Sequence, residues 1–354
     1  MTPRGGGAPP ALPYRPGVVG IKDVARAAGV SVGTVSNVLN RPGSVGAARR
    51  ERVEAAIDAL GYVRNESARQ LRSGSSRTIA LVVLDVTNPF FADVITGAEE
   101  AAEEAGALVV VCNSGGRASR EERHLERLEA QRVMGVLLSP VHDREHHPAD
   151  VLVERGTPVV LVDRVSASPT SSSVAVDDVC GGRLAGEHLL ERGHERVVFV
   201  GGPRGLRQVE DRLDGLRAAV AGRGTVEVAE VEEMSVRGGA GAAARLFATW
   251  QGAAAAAPTA VVCANDLLAL GVLNECQRRR VAVPEDLALV GYDDIAFAAT
   301  APVPLTSVRQ PREQLGRTAV ELLLAAVGAD GGEDPRHVVF TPELVPREST
   351  RRRA

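Results

Sequence analysis

The 354-residue chain is poor in aromatics, with one Trp, three Tyr and six Phe, and it carries a single lysine, Lys22. Its cations are therefore almost all arginine, a coding bias that deprives arginine content of functional weight by itself. Long apolar runs are missing too: none approaches the ~18 uninterrupted residues of a membrane span. Residues 1–20 hold Gly and Pro where an export signal would hold an apolar stretch, so a cytoplasmic protein is expected. Cys112, Cys180, Cys263 and Cys276 lie far apart with no C-x-x-C pair, which excludes the usual zinc and redox spacings and predicts reduced thiols, mostly in the core.

Catalytic signatures are equally scarce. GGPRG (201–205) lacks both the GK[ST] of a phosphate loop and the spacing of a dinucleotide fingerprint, and reads as a turn. No G-x-S-x-G elbow occurs. His142, His146 and His147 sit in a charged segment broken by Pro148 without a companion cysteine, so a solvated loop is expected rather than a metal site. No catalytic residue, metal or cofactor is predicted.

What is present is an asymmetry of charge. Residues 1–76 hold eleven basic and five acidic side chains, +6, which leaves −10 for the rest of a chain whose total is −4. A small basic block joined to a larger acidic one points to a nucleic-acid reader carried by another domain. Residues 2–17 are Gly- and Pro-rich without period and are expected to be a disordered leader. Ile21, Val24, Ala25 and Ala28 then fall at helical spacing, with Gly29 placed to end the helix. Ser31 is an N-cap for a second short helix that turns Val35, Val38 and Leu39 one way and Val32, Gly33, Ser36 and Asn37 the other. A third amphipathic segment, 49–60, presents Val53, Ala56, Ile57 and Leu60 and stops at Gly61.

Beyond a polar linker ending in Gly74, Ser75 and Ser76, apolar runs such as IALVV, LVVVC and GVLLS alternate with helical segments in two series. This alternation predicts parallel sheets flanked by helices, and roughly ten strands are better divided between two lobes than placed in one sheet. Paired α/β lobes bind ligands where strands end, which nominates Asn88 to Phe91, Asp163, Asn265, Asp266, Asp293 and Asp294, with capping as the bland reading for Asp266 and Asp294.

IKDVARAAGVSVGTVSNVLN (21–40) resembles the DNA-binding helix-turn-helix of the lac repressor (LacI) family of bacterial transcription regulators. The likeness continues through RERVEAAIDALGYVRN (50–65), ARQL (68–71), NPFF (88–91), LVDR (161–164), GHERVVFVGG (193–202), AND (264–266), GYDD (291–294) and LTSVRQP (305–311). It implies an all-α head joined by a hinge helix to a two-lobed α/β domain of periplasmic-binding-protein type. The expected division is a leader 1–19, head 20–64, hinge and linker 65–76, and effector-binding and dimerisation domain 77–349. Its N-lobe is expected at about 77–174 and 309–337, and its C-lobe at about 175–308 and 338–349.

The resemblance implies a homodimeric repressor on a pseudopalindromic DNA operator, with no membrane partner. Val32, Gly33 and Asn37 would read bases, Asn37 by bonding adenine and Val32 by touching a thymine methyl; Ser31, Thr34, Ser36 and Asn40 would position the helix on phosphates. The hinge segment, too short to be helical alone, would enter the minor groove with Ala68 and wedge Leu71 between base steps. Asp163, Arg212, Asn265 and Asp293 match positions that hydrogen-bond a small polar effector, a sugar being the first expectation, and Phe90 and Phe91 match lining residues. No aromatic stands near Met234 and Ser235, where sugar-binding relatives stack one, and Trp250 lies too far along its helix to replace it. A solute-binding receptor or a sugar-processing enzyme could share the lobes, but the first has no use for residues 21–71 and the second lacks a nucleophile and base.

Overall fold

The computed structural model describes residues 19–63, 76–142, 147–166, 170–203, 205–250, 257–328 and 334–351. Contacts divide the chain into two compact units, Met1–Ser75 and Ser76–Ala354. In the first, α1 (Ile21–Ala28), α2 (Val32–Asn40) and α3 (Ala47–Leu60) close around Val24, Val35 and Val53, none of which retains accessible surface. Caps define the helices locally. Gly29 (φ +63°) ends α1, the Ser31 hydroxyl accepts the Thr34 N–H at 3.1 Å to begin α2, and Gly61 (φ +59°) ends α3.

Two details depart from expectation: α3 starts at Ala47, and Leu60 is exposed. At the end of α3 the Gly61 N–H reaches Asp58 O and the Tyr62 N–H reaches Ile57 O, which folds the chain back and sets Tyr62, not Leu60, against the core.

In the second unit β1 (Thr78–Val83), α4 (Pro89–Glu104), β2 (Leu108–Asn113), α5 (Ala118–Ala130), β3 (Gly135–Leu138), α6 (Pro148–Glu154), β4 (Val159–Val162) and β5 (Ser172–Val176) come first. Then follow α7 (Asp178–Glu191), β6 (Arg196–Gly201), α8 (Arg207–Val220), β7 (Thr225–Glu230), α9 (Val236–Trp250), β8 (Ala260–Cys263), α10 (Asp266–Arg279) and β9 (Ala288–Asp293). The chain ends with α11 (Ala296–Thr300), β10 (Thr306–Arg309), α12 (Arg312–Gly328), β11 (His337–Phe340) and β12 (Glu343–Val345). These make two six-stranded sheets, ordered β11-β5-β4-β3-β1-β2 and β12-β10-β9-β8-β6-β7, parallel except where β12 runs antiparallel to β10. The central strands are apolar throughout because helices cover both faces, whereas the edge strands β2 and β7 are half exposed.

The chain crosses between sheets three times, after β5, β10 and β11. The lobe boundaries expected at 174/175 and 337/338 therefore fall inside strands. β5 and β11 both belong to the first sheet, where Ser173 pairs with His337 and Val176 with Phe340. A four-residue strand whose neighbour lies more than 160 residues away leaves no local mark of which sheet it joins.

Glycines set the spacing of the covering helices. A Cβ on Gly97 of α4 would stand 2.0 Å from Glu313 O of α12, and one on Gly182 of α7 would stand 1.9 Å from Arg212 O of α8. Neither helix pair can approach this closely with any larger residue.

His188 of α7 is 4% exposed. Arg192 Nη1, which can only donate, lies 3.1 Å from its Nδ1, so Nε2–H donates to the Thr350 hydroxyl at 2.7 Å. Burial, with Arg192 and His194 beside it, lowers its pKa from 6.5 to about 4. Between those values the unfolded chain binds more protons than the folded one, so the neutral imidazole's contribution is whole above pH 6.5 and is lost as pH falls toward 4. Through His188 alone, acidification across this window should cost up to about 3 kcal/mol, read as the difference between wild type and His188→Gln. Urea unfolding followed from pH 7 to 4 checks this, and His188→Gln should flatten the dependence.

Candidate functional site

Two places carry functional chemistry. On the head, Val32, Gly33 and Asn37 are exposed on the face of α2 opposite buried Val35 and Val38. Ser31 caps α2 and shares a 2.9 Å hydrogen bond with the Thr34 hydroxyl, while Asn40 Nδ2 donates to Ser36 O at 2.8 Å and to Ser36 Oγ at 3.2 Å. The four residues expected at phosphates thus also hold the two ends of α2. Ala68 and Leu71 lie outside the described residues.

In the second unit, Phe90, Phe91, Asp163, Arg212, Asn265 and Asp293 all line one cavity between the lobes. Each gets there by a local device. Asn88 caps α4 by accepting the Phe90 N–H at 3.1 Å, which aims Phe90 and Phe91 inward, edge to face with ring centres 5.0 Å apart. Asn265 caps α10 by accepting the Leu268 N–H at 2.9 Å and donates to Met234 O at 3.3 Å. Asp163 follows β4 at φ +60°, and Asp293 and Asp294 stand at the end of β9 at φ +97° and +52°. Non-glycine residues rarely adopt such values, and these three occur together where the strands meet the cleft.

Arg212 organises the charges. Its Nε donates to Asp178 Oδ1 at 2.8 Å and Nη1 to Ala264 O at 2.7 Å; the guanidinium lies 3.8 Å above the Tyr292 ring and 3.9 Å from Asp293 Oδ1. Burial opposes its charge, but Asp178, Tyr292 and Asp293 hold it protonated. Burial raises Asp163 to about 7 and Asp293 to about 6, with Arg212 working against the rise in both. A carboxyl near 7 can donate to or accept from a hydroxyl at neutral pH, which suits a neutral polyol.

Sequence reasoning missed the partners of these groups. Gln208 Nε2 donates to Asp163 Oδ2 at 3.1 Å, and Gln310 Nε2, on the chain crossing after β10, donates to Asp293 Oδ1 at 2.7 Å. Gln208 lies in the first turn of α8, where the strand-end rule does not look, whereas Gln310 directly follows β10 and was within that rule's reach. Asp266 and Asp294 are structural. Asp266 accepts from the Ser307 hydroxyl and the Ile295 N–H at 2.7 and 2.8 Å, and Asp294 pairs with Arg309 and Arg347 at 2.7 and 2.6 Å. Met234 lines the cavity where an aromatic is lacking, and Trp250 instead packs edge to face on Phe247.

The histidine loop also differs from expectation: His147 caps α6 and its Nε2 lies 3.0 Å from buried Glu121, so it is a packed residue and not a solvated one. His146 lies outside the described residues. Among the described residues no cluster of side chains has the makings of a metal site, and no helix is long and apolar enough to cross a membrane.

Comparison with known proteins supplies the rest. Residues 20–65 match the family described as bacterial regulatory proteins, lacI family, and residues 186–350 match a periplasmic binding protein-like domain. The chain is 34% identical to the HTH-type transcriptional repressor PurR of Photobacterium profundum, over 94% of this chain and 98% of that one. It is also 34% identical to the ribose operon repressor of Escherichia coli strain K12, over 93% and 99%. Among solved structures, the lac repressor dimer bound to operator and the anti-inducer ONPF superposes with a TM-score of 0.82 at 28% identity, covering 94% of this chain and 99% of that one.

Proposed function

Since the chain belongs to the lacI family of bacterial regulatory proteins, we propose that it is a transcriptional repressor, binding a pseudopalindromic operator as a homodimer and released or recruited by a small polar effector between its lobes. The observation that carries this is the Ser31-capped helix α2, which turns Val32, Gly33 and Asn37 to solvent on a basic head while its other face is sealed in a core of its own. One such helix spans too few base pairs for adequate specificity, so two heads on a twofold site are needed.

Asn37 bonds the N6/N7 edge of an adenine and Val32 meets a thymine methyl in this reading, while Gly33 lets the backbone come close. Asn37→Ala should cost about 1–3 kcal/mol of discrimination at one base pair in each half-site and leave the other positions unchanged. Binding to single-base operator variants checks this; a uniform loss at all positions would assign Asn37 to the backbone instead. Ala68 and Leu71 are assigned to the minor groove by the resemblance alone.

The cleft accounts for the switch. Asp163 and the α4 phenylalanines come from the first lobe, and Arg212, Asn265 and Asp293 from the second, so a ligand touching both favours one interlobe angle. That angle biases the segment 65–76 that follows the head. The regulator acts in the cytoplasm, on DNA, and turns nothing over. Selection of genomic DNA fragments on the full-length protein at physiological salt tests the reading. A shared inverted repeat is expected, and recovery of unrelated fragments with and without cell extract would overturn it.

A further inference from the structure

The second lobe holds a cavity of its own. It encloses about 600 Å³, within the range of small-molecule sites, and lies between α8 and the edge strand β7. Its described walls all fall between Phe199 and Glu230, so the site is built within one lobe and does not depend on the interlobe angle. Val228 and Phe199, paired in register across β7 and β6, make the floor, and Val209 and Leu213, one turn apart on α8, make the roof. Gly201 and Gly202 close one end without side chains: a Cβ on Gly201 would stand 2.6 Å from the Phe199 ring, and one on Gly202 would stand 2.4 Å from Val231 O.

The rim is charged and one-sided. Glu210, Asp214 and Arg217 follow one another at i, i+4 and i+7 along one face of α8, and Glu230 borders the cavity from the end of β7. Among the described walls, three carboxylates stand against one guanidinium, and that guanidinium is 3.8 Å from Asp214. An anion would meet net repulsion here. A flat base finds no open ring to stack on, because Phe199 is 1% exposed, whereas Val228 of the edge strand is 39% exposed and offers an aliphatic surface. An aliphatic floor beneath an acidic rim fits a chain of methylenes that carries a cation. Lysine and arginine side chains lie on protein surfaces in the same way, with the stem on apolar groups and the head at the polar edge.

We propose that this groove is a second ligand site, for a linear aliphatic amine or guanidine, with its cationic head beside Glu210 and Glu230 and its methylenes on Val209, Leu213 and Val228. Glu210 Oε1 accepts the Gly205 N–H at 3.1 Å, which fixes that carboxylate at the mouth. The site is separate from the cleft between the lobes, and α8 connects the two: the helix that roofs the groove with Val209 and Leu213 carries Gln208 and Arg212 to the cleft.

The test is calorimetric titration of the full-length protein at physiological salt with putrescine, spermidine, agmatine and arginine, with 1,6-hexanediol and adipate as neutral and anionic chains of similar length. At least one of the cations should bind once per chain, and neither control should bind. Glu230→Gln and Val228→Trp should each weaken that binding about tenfold or more, the first by removing a charged partner and the second by filling the groove from its exposed edge. Glu126→Gln, an equal change of charge at an exposed position on α5 of the first lobe, should leave it unchanged. Wild-type thermal unfolding in the unliganded variants separates a blocked groove from a misfolded lobe. Failure of all four cations to bind, equal binding of hexanediol, or equal weakening by Glu126→Gln and Glu230→Gln overturns the site.

Discussion

Arg212→Met is expected to destabilise the two-lobed unit by about 3–5 kcal/mol, the cost of removing one partner from a buried ion pair. Arg212 and Asp178 are 4% and 6% exposed, and the guanidinium is the cation shared by Asp178, Asp293 and Asp163. Methionine replaces most of the volume, so the loss is electrostatic and not a cavity. Asp178 is already raised by burial even beside Arg212, and without the cation it must take up a proton or drag water inward. The deficit should therefore shrink on acidification, as the carboxyls accept protons that the arginine had kept away. Urea unfolding at pH 7 and pH 5 measures both effects. Arg212→Met/Asp178→Asn should recover part of the loss, since the orphaned charge goes with the arginine. A deficit below 1 kcal/mol, or one independent of pH, would show that the pair does not hold the two helices together.

Val35→Asp should abolish specific operator binding while leaving the second unit's unfolding transition in place. The head has a core of about seven residues, and Val24, Val35 and Val53 are its fully buried members. A unit of this size has only a few kcal/mol to lose. An ionised carboxylate at Val35 costs at least that much, because it would stand in a cluster of Val24, Val38, Val53 and Ala56. Operator affinity should fall to the nonspecific level, a loss of about 10³-fold or more. Calorimetry should still show the larger transition, because Ser76–Ala354 forms a compact unit with its own cores. Simultaneous loss of both transitions would mean that the two units fold as one.

The head was legible because its determinants are local. Helical spacing, Ser31 as cap and Gly29 and Gly61 as left-handed stops all act within five residues, and each is found where the spacing puts it. Leu60 was misplaced because the turn that follows it returns Tyr62 to the core, and the competition between the two is settled by geometry after the helix ends.

The two α/β lobes were legible from the alternation of apolar runs with helices, since a strand covered on both faces must be apolar along its whole length. The candidate effector residues were legible for a related reason: ligands gather at the ends of parallel strands, and Asp163, Asn265 and Asp293 stand there.

By itself, then, the sequence determined the helices, the strands, the basic reader and the rim of the cleft, all properties written within one element or one βαβ unit. Only the tertiary structure decided that β11 joins β5 in the first sheet, that Asp178 answers Arg212 across 34 residues, and that Gln208 reaches Asp163 across 45. Those choices depend on packing between elements far apart in the chain, where no spacing rule connects one residue to another.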